Sequence, residues 1–292
     1  MSKTWSTPVN PREEKQLVPC AICTGLSFKP FLSCDGFSYV CCKTCALVQM
    51  NPQPLEASIK KRYNTGPEGT YGKDYLAYEL ANEEAFLNLQ ILALRDAGFN
   101  KLEKELMPSG ETRKILDIGC AVGSLLALLG QRGWETTGVE ISGPQAQYCR
   151  QKQNLDVRSL PLKENNFPEG YFNVVLASHL IEHVNDPAGL VREVRRILAA
   201  GGSFFVTTPN IAGLQARLFA SRWRSAIFDH LYLFSVKTLS RLLLENGFVI
   251  EKIATWGGLA AGTAPAPLKR LFDRAAKRFG FGDVMIIRAG RD

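Results

Sequence analysis

The stretch Ile115-Leu116-Asp117-Ile118-Gly119-Cys120-Ala121-Val122-Gly123 constrains this chain more than any other. A short apolar strand, Lys114–Ile118, runs into a turn carrying Gly119 and Gly123, and a helix over Ser124–Arg132 follows. Glycine takes left-handed backbone at little cost, so such a turn bends sharply and lets a ligand approach the main chain. Glu140 ends the next strand, Glu135–Val139, 23 positions after Asp117. In dinucleotide-binding folds an acid at about 20 residues' distance accepts hydrogen bonds from a ribose. The same carboxylate could instead cap the helix that begins near Gly143, and the residues alone leave both readings open.

From Arg113 onward strand and helix patterns alternate, as an α/β sheet requires. Helices are expected at Pro144–Gln153, Pro187–Leu198 and Val236–Asn246, and strands at Phe172–Ala177 and Ser203–Thr207. Phe248–Ala254 and Asp283–Ile287 read as a final antiparallel pair flanking an amphipathic helix, Pro265–Phe279. That helix would bury Leu268, Leu271, Phe272, Ala275 and Phe279 and leave its basic residues wet. The expected organisation is a polar lead (1–18), a cysteine module (19–54), a helical segment (55–110) and an α/β domain (111–292). In the helical segment Ala85, Phe86, Leu89, Leu92 and Ala93 recur at helical spacing.

Six of the eight cysteines fall between Cys20 and Cys45. Cys20-x-x-Cys23 and Cys42-x-x-Cys45 form two knuckles separated by 18 residues, a spacing that supplies four thiolates to one tetrahedral Zn²⁺. Four closed ligands make a structural metal, on which so small a module depends for folding. Disulfides or a redox pair are the alternatives. The N-terminal residues show no apolar signal core, and no apolar run reaches the roughly 18 residues of a membrane span, so a cytoplasmic protein is expected.

Asp117-Ile118-Gly119-Cys120-Ala121-Val122-Gly123 resembles the D-x-G-x-G-x-G motif of class I S-adenosylmethionine (SAM)-dependent methyltransferases, with Ala121 in place of the middle glycine. Phe172–His179 resembles their fourth strand, Leu180–Pro187 the LEHVxDP that follows, Leu198–Gly202 the LKPGG turn, and Asp229–Ser235 the DHLYHFS entry to a late helix. The resemblance implies a seven-stranded Rossmann-like sheet with helices on both faces, preceded by a zinc-ribbon-like module and a helical segment. It further implies that Asp117 orients the loop or contacts the methionine amino group, that Gly119 and Ala121, in a turn closed by Gly123, let the backbone pass along the methionine part of SAM, and that Glu140 takes the ribose hydroxyls. Ile141 would pack on the adenine and Leu162 would reach its edge through the backbone. Ser178 would face the cofactor, and Tyr71 and Tyr75 would belong to a lid, or to ordinary helix packing.

The chain has three histidines, His179, His183 and His230, all inside these motifs. A neutral imidazole takes a proton from an attacking hydroxyl or amine, so each is a candidate base. His183 in many relatives is structural. Ubiquinone-pathway O-methyltransferases are similar around this loop and hold a divalent metal on two glutamates and the histidine. Here His179 replaces the first glutamate, so no catalytic magnesium is expected.

The segment Tyr39–Pro54 resembles YxCxxCGLVxxNPxP, a lead-in to bacterial methyltransferases of polysaccharide and sugar-nucleotide pathways, with Ala46 for the usual Gly. The favoured function is therefore methyl transfer from SAM to an O, N or C atom of a small molecule, a sugar nucleotide or polysaccharide precursor among them. A net charge of +7 keeps an RNA methyltransferase as the alternative, RNA being the less favoured partner, and a non-catalytic scaffold as a third.

Overall fold

A computed structural model describes residues 13–63, 73–106, 112–258 and 265–292. Its centre is a seven-stranded sheet of β6 (Lys114–Ile118), β7 (Glu135–Val139), β8 (Asp156–Arg158), β9 (Phe172–Ser178), β10 (Leu198–Pro209), β12 (Phe248–Trp256) and β13 (Val284–Arg291), in the order β12-β13-β10-β9-β6-β7-β8. β8, β7, β6, β9 and β10 run parallel, and β13 is antiparallel to both β10 and β12. The strands are nearly continuous apolar runs because both faces are covered. Alternation sorts the side chains: Ile115, Val174, Leu176 and Phe205 enter one buried cluster, while Leu116, Val175, Ala177, Phe204 and Val206 enter the other.

The connecting helices are α5 (Ser124–Gln131), α6 (Gly143–Lys152), α7 (Pro187–Ile197), α8 (Leu214–Phe219), α9 (Val236–Glu245) and α10 (Ala266–Phe279). Their starts are written locally. Asp186 caps α7 by accepting from Gly189 N at 2.7 Å, with Pro187 at the first helical position. Ser235 and Thr238 form a reciprocal capping box on α9.

One packing expectation is corrected, and the helical reading of 55–110 holds for its described residues. On α10, Leu271 and Phe279 are exposed, whereas Ala276 is fully buried. The helix is docked instead through Asp273 Oδ1, which accepts from Gly258 N at 2.9 Å, and Ala276 O, which accepts from Thr255 Oγ1 at 2.8 Å. Those polar anchors rotate it away from its most apolar stripe. Residues 55–106 hold α1 (Glu56–Tyr63), α2 (Lys73–Ala81), α3 (Glu83–Asp96) and α4 (Phe99–Leu106). In α3 Ala93 and Leu94 are buried and Leu87 packs partly against the core, while Leu89 and Leu92 stay exposed.

The cysteine region folds as β2 (Phe28–Cys34), β3 (Phe37–Cys42) and β4 (Val48–Met50), with a separate pair, β1 (Lys15–Gln16) and β5 (Gln53–Pro54). Its sheet is completed by a strand from far along the chain, β11 (Tyr232–Leu233), in the order β11-β4-β3-β2. Cys20, Tyr39, Leu47 and Met50 consequently share one buried cluster with Trp223, Leu231 and Phe234. Among the described residues no helix is long and apolar enough to cross a membrane.

Candidate functional site

The glycine turn stands at the C-terminal end of β6. Gly119, Ala121 and Gly123 all have positive φ, at 77°, 50° and 80°. Gly123 is doubly required, since a Cβ there would lie 2.6 Å from Leu155 Cδ1 and 3.0 Å from Cys149 Sγ. Ala121 carries its methyl in left-handed backbone, which costs an L-residue about 1 kcal/mol. Glu140 holds this turn closed: Oε2 accepts from Ala121 N at 3.0 Å and Oε1 from Ser142 N at 2.8 Å. Glu140 thus ties the turn to the residue that precedes α6, without capping the helix itself. Each oxygen keeps a lone pair for a further donor such as a ribose hydroxyl.

Burial pushes the Glu140 carboxyl up to about 7, against the pull of the Ser142 and Ala121 amides, and the charge of Glu79 adds to the rise. Asp117 is buried nearby and is also pushed up to about 7, by desolvation first and by Glu140 second. Glu79, on α2, is buried and raised by desolvation, with a hydrogen bond from Tyr75 working the other way. Three buried acids thus lie close enough for Glu79 to act on Glu140 and Glu140 on Asp117, an arrangement that favours a nearby cation. A cleft beside the turn is lined by Asp117, Ser178 and Thr207 at strand ends and by Gln90 and Leu94 of α3. Ile141 is half-buried, Leu162 joins the core at a short turn after β8, and Tyr75 stacks on Tyr78 with ring centroids 6.3 Å apart. Tyr71 lies outside the described residues.

Beyond β9 the chain turns through His179, whose φ is 51°. Non-glycine residues in that region cluster at sites where geometry is imposed for function. His179 Nδ1 lies 3.3 Å from Glu182 Oε1, and Glu182 Oε2 accepts from Thr208 Oγ1 at 2.9 Å. Burial alone would raise the Glu182 carboxyl. The hydrogen bond from His179 and the neighbouring imidazoles bring it down to about 2, so it is ionised and only accepts. His179 Nδ1 is therefore the donor to Glu182, on a half-exposed ring whose Nε2 is its other nitrogen. His183 Nδ1 donates to Asp229 O at 2.9 Å and His230 Nδ1 to Ser225 O at 2.8 Å, fixing the same tautomer in each. His230 is buried and desolvation lowers it to about 4, so it is neutral. The three histidines and Glu182 form one group, and single ligand atoms of Glu182, His183 and His230 lie within 4.8 Å of one another. Glu182, Thr208 and Glu79 are partners that sequence reasoning did not assign; Thr208 carries no local signal, being 26 residues from Glu182.

Cys20, Cys23, Cys42 and Cys45 bring their sulfurs within 4.8 Å of one another, with Cys20–Cys45 at 3.3 Å and Cys23–Cys42 at 3.5 Å. A tetrahedral ZnS₄ centre with Zn–S near 2.3 Å needs about 3.8 Å between sulfurs, so a small expansion admits the ion. The two knuckles repeat one backbone design. Thr24 N bonds Cys20 O and Ala46 N bonds Cys42 O, while Cys20 N bonds Gly25 O and Cys42 N bonds Leu47 O. The fifth residue of each, Thr24 (φ 57°) and Ala46 (φ 63°), is left-handed. Burial works to raise Cys42, but amides of Cys45 and Thr44 overcome it and bring the thiol down to about 6.

A family model described as a methyltransferase domain matches residues 90–253. The chain belongs to this methyltransferase family. The methyltransferase is 34% identical over 105 residues to a ubiquinone biosynthesis O-methyltransferase of Pseudomonas aeruginosa, covering 34% of this chain and 45% of that protein. A protein of the same description from Acinetobacter baumannii is 31% identical, covering 34% of this chain and 44% of its own length. The chain thus spans under half the length of these curated relatives. A SAM-dependent methyltransferase of known structure from Archaeoglobus fulgidus superposes with a TM-score of 0.51 at 21% identity, covering 73% of this chain and 99% of that one. Sheet order and family together make this chain a methyltransferase domain with a Rossmann-like fold.

Proposed function

We propose that this methyltransferase moves the methyl group of SAM onto a hydroxyl of a small-molecule acceptor, with His179 as the base. SAM supplies an activated methyl on a sulfonium, which the acceptor oxygen displaces. The carrying observation is the chain Thr208–Glu182–His179 beside Ser178 at the end of β9, next to the glycine turn. Glu182 fixes the His179 tautomer and steadies the imidazolium once Nε2 has taken the hydroxyl proton. Asp117, Glu140 and the turn amides would hold the methionine and ribose parts, and Tyr75 and Glu79 would cover them. Cys20, Cys23, Cys42 and Cys45 would hold one structural Zn²⁺, whose thiolate set suits a reducing compartment such as the cytoplasm.

The names of the curated relatives support an O-acceptor, and the Tyr39–Pro54 lead-in supports a sugar-linked one. The RNA reading loses support because four of the basic C-terminal residues are paired within the fold. Lys269 pairs with Asp273 at 2.5 Å, Lys277 with Asp96 at 2.6 Å, Arg288 with Glu251 at 2.5 Å and Arg291 with Glu169 at 3.0 Å.

The test is S-adenosylhomocysteine (SAH) release from SAM over a panel of phenols and sugar nucleotides, guided by mass spectrometry of co-purified ligand. His179→Asn should lower turnover on the active acceptor by at least about 100-fold, the usual contribution of a general base. Its SAH affinity should be unchanged. Wild-type turnover in this variant refutes the base, and turnover on transfer or ribosomal RNA alone would replace the acceptor class.

A further inference from the structure

Tyr39 opens the cysteine lead-in, and nothing in the chemistry above uses it. It is fully buried, and the single proton of its hydroxyl is shared between two carbonyls of the distant 225–234 segment, Ile227 O and His230 O, each at 2.8 Å. Its ring packs edge-on against Phe37 with centroids 5.7 Å apart, and Phe37 meets Phe228 at 5.6 Å. The same segment is held by main-chain bonds on both sides. Towards the module, β11 pairs Tyr232 with Gln49 and Leu233 with Val48, and Met50 N donates to Leu231 O at 2.8 Å. Towards the histidine group, Leu231 N and Tyr232 N donate to Glu182 O at 2.8 and 3.2 Å.

The segment is therefore a shared strand between two parts of the chain. On one side stand the strands that carry Cys42, and on the other the residue that orients His179. The free N-terminal end of the module is tied in as well. Gln49 Nε2 donates to Pro19 O at 3.1 Å and its Oε1 accepts from Ala21 N at 3.3 Å, beside Cys20. Asn51 mimics a strand neighbour, accepting from Val18 N and donating to Val18 O, both at 3.1 Å. These ties make the 225–234 segment depend on the knuckles being closed.

We infer that Tyr39 is a positioning residue, through which the closed four-cysteine module sets the 225–234 segment and with it the His230 imidazole. The module then serves the acceptor side of the site and leaves the cofactor side alone. Metal loading would act on the same segment from 190 residues away in sequence, as the Tyr39–His230 bond spans 191 positions. This rests on the four-cysteine metal reading, but not on which residue is the base or what the acceptor is.

The test uses the full-length, zinc-loaded protein and Tyr39→Phe, which keeps the ring and removes only the hydroxyl. Metal content by elemental analysis and SAH affinity by calorimetry serve as controls and should match the wild type. With only three histidines, the imidazole ¹⁵N spectrum resolves each ring, and the Nδ1–H signature of His230 should shift or broaden in the variant while that of His179 is retained. Hydrogen exchange in a peptide covering 227–234 should quicken by about tenfold, the size expected for one lost buried hydrogen bond. Wild-type protein stripped of metal by a chelator should show the same His230 change at unaltered SAH affinity. An unchanged His230 signal and unchanged exchange in Tyr39→Phe overturn the proposal. So does a metal-stripped protein whose 227–234 exchange matches the loaded form, or a Tyr39→Phe variant that loses SAH binding in step.

Discussion

The buried acids predict how cofactor binding responds to pH. Asp117 rises from an ordinary 3.8, and Glu140 from 4.5, both to about 7, chiefly because burial disfavours the charged form. Raised acids favour the folded state at low pH, fully below their unfolded values near 4, and that contribution is lost as pH climbs through 7. Ligand-free protein should therefore lose stability between about pH 4 and 8. A cationic cofactor whose hydroxyls donate to Glu140 needs the ionised form, so its affinity should move the opposite way. For one group titrating at 7, the ionised fraction goes from about 9% at pH 6 to about 91% at pH 8, and binding tightens about tenfold; two such groups give about a hundredfold. Calorimetric titration of SAM from pH 6 to 8, in two buffers of different ionisation heat, measures both the affinity and the protons released. Glu140→Gln keeps an acceptor oxygen but cannot ionise, and Asp117→Asn likewise; each should remove about a decade of the dependence. A wild-type affinity flat across that range, or a slope in both variants equal to that of the wild type, would refute the reasoning.

Two further outcomes follow from the cysteine module. Protein purified without chelator should contain one zinc per chain by elemental analysis, and Cys23→Ser should release it; a folded, metal-free wild type would refute the site. Ala46→Gly should raise stability by about 1 kcal/mol, or Tm by about 2 °C, because φ at 63° penalises the alanine Cβ; a lower Tm would show the methyl to be packed to advantage.

What could be read from the sequence followed local physics. Phe172–Ser178 and Lys114–Ile118 are apolar runs with nowhere to go but a covered sheet, and each was legible to within a residue. The C-x2-C pairs were legible because a knuckle needs only neighbours in sequence. Tail-helix packing was not, since the anchors from Thr255 and Gly258 outweigh the apolar stripe through Leu271 and Phe279. β11 was equally hidden. Tyr232 and Leu233 sit in a motif that reads as the approach to a helix, yet main-chain pairing with Val48 and Gln49, from the opposite end of the chain, turns them into a strand. The site showed the same divide. Asp117, the turn and Glu140 announce themselves through spacing, whereas Thr208 matters only because the sheet carries it beneath Glu182.

The charge of the whole molecule and the charge of its site point in opposite directions, and this bears on how the reaction cycles. The chain carries a net +7, yet Glu79, Asp117 and Glu140 gather where the cofactor would lie. A surface that is basic overall does little for a cationic ligand at long range, because screening in physiological salt confines the field to about 8 Å. On the proposed reading, recognition would fall to the buried acids, whose field is strong because water is excluded from them. SAM carries a sulfonium charge that SAH has lost, so an acid-lined pocket binds the product less well than the reactant. The cost of burying these carboxylates, visible in their raised values, is thus offset most by the reactant and less by the product, which favours product release over product retention.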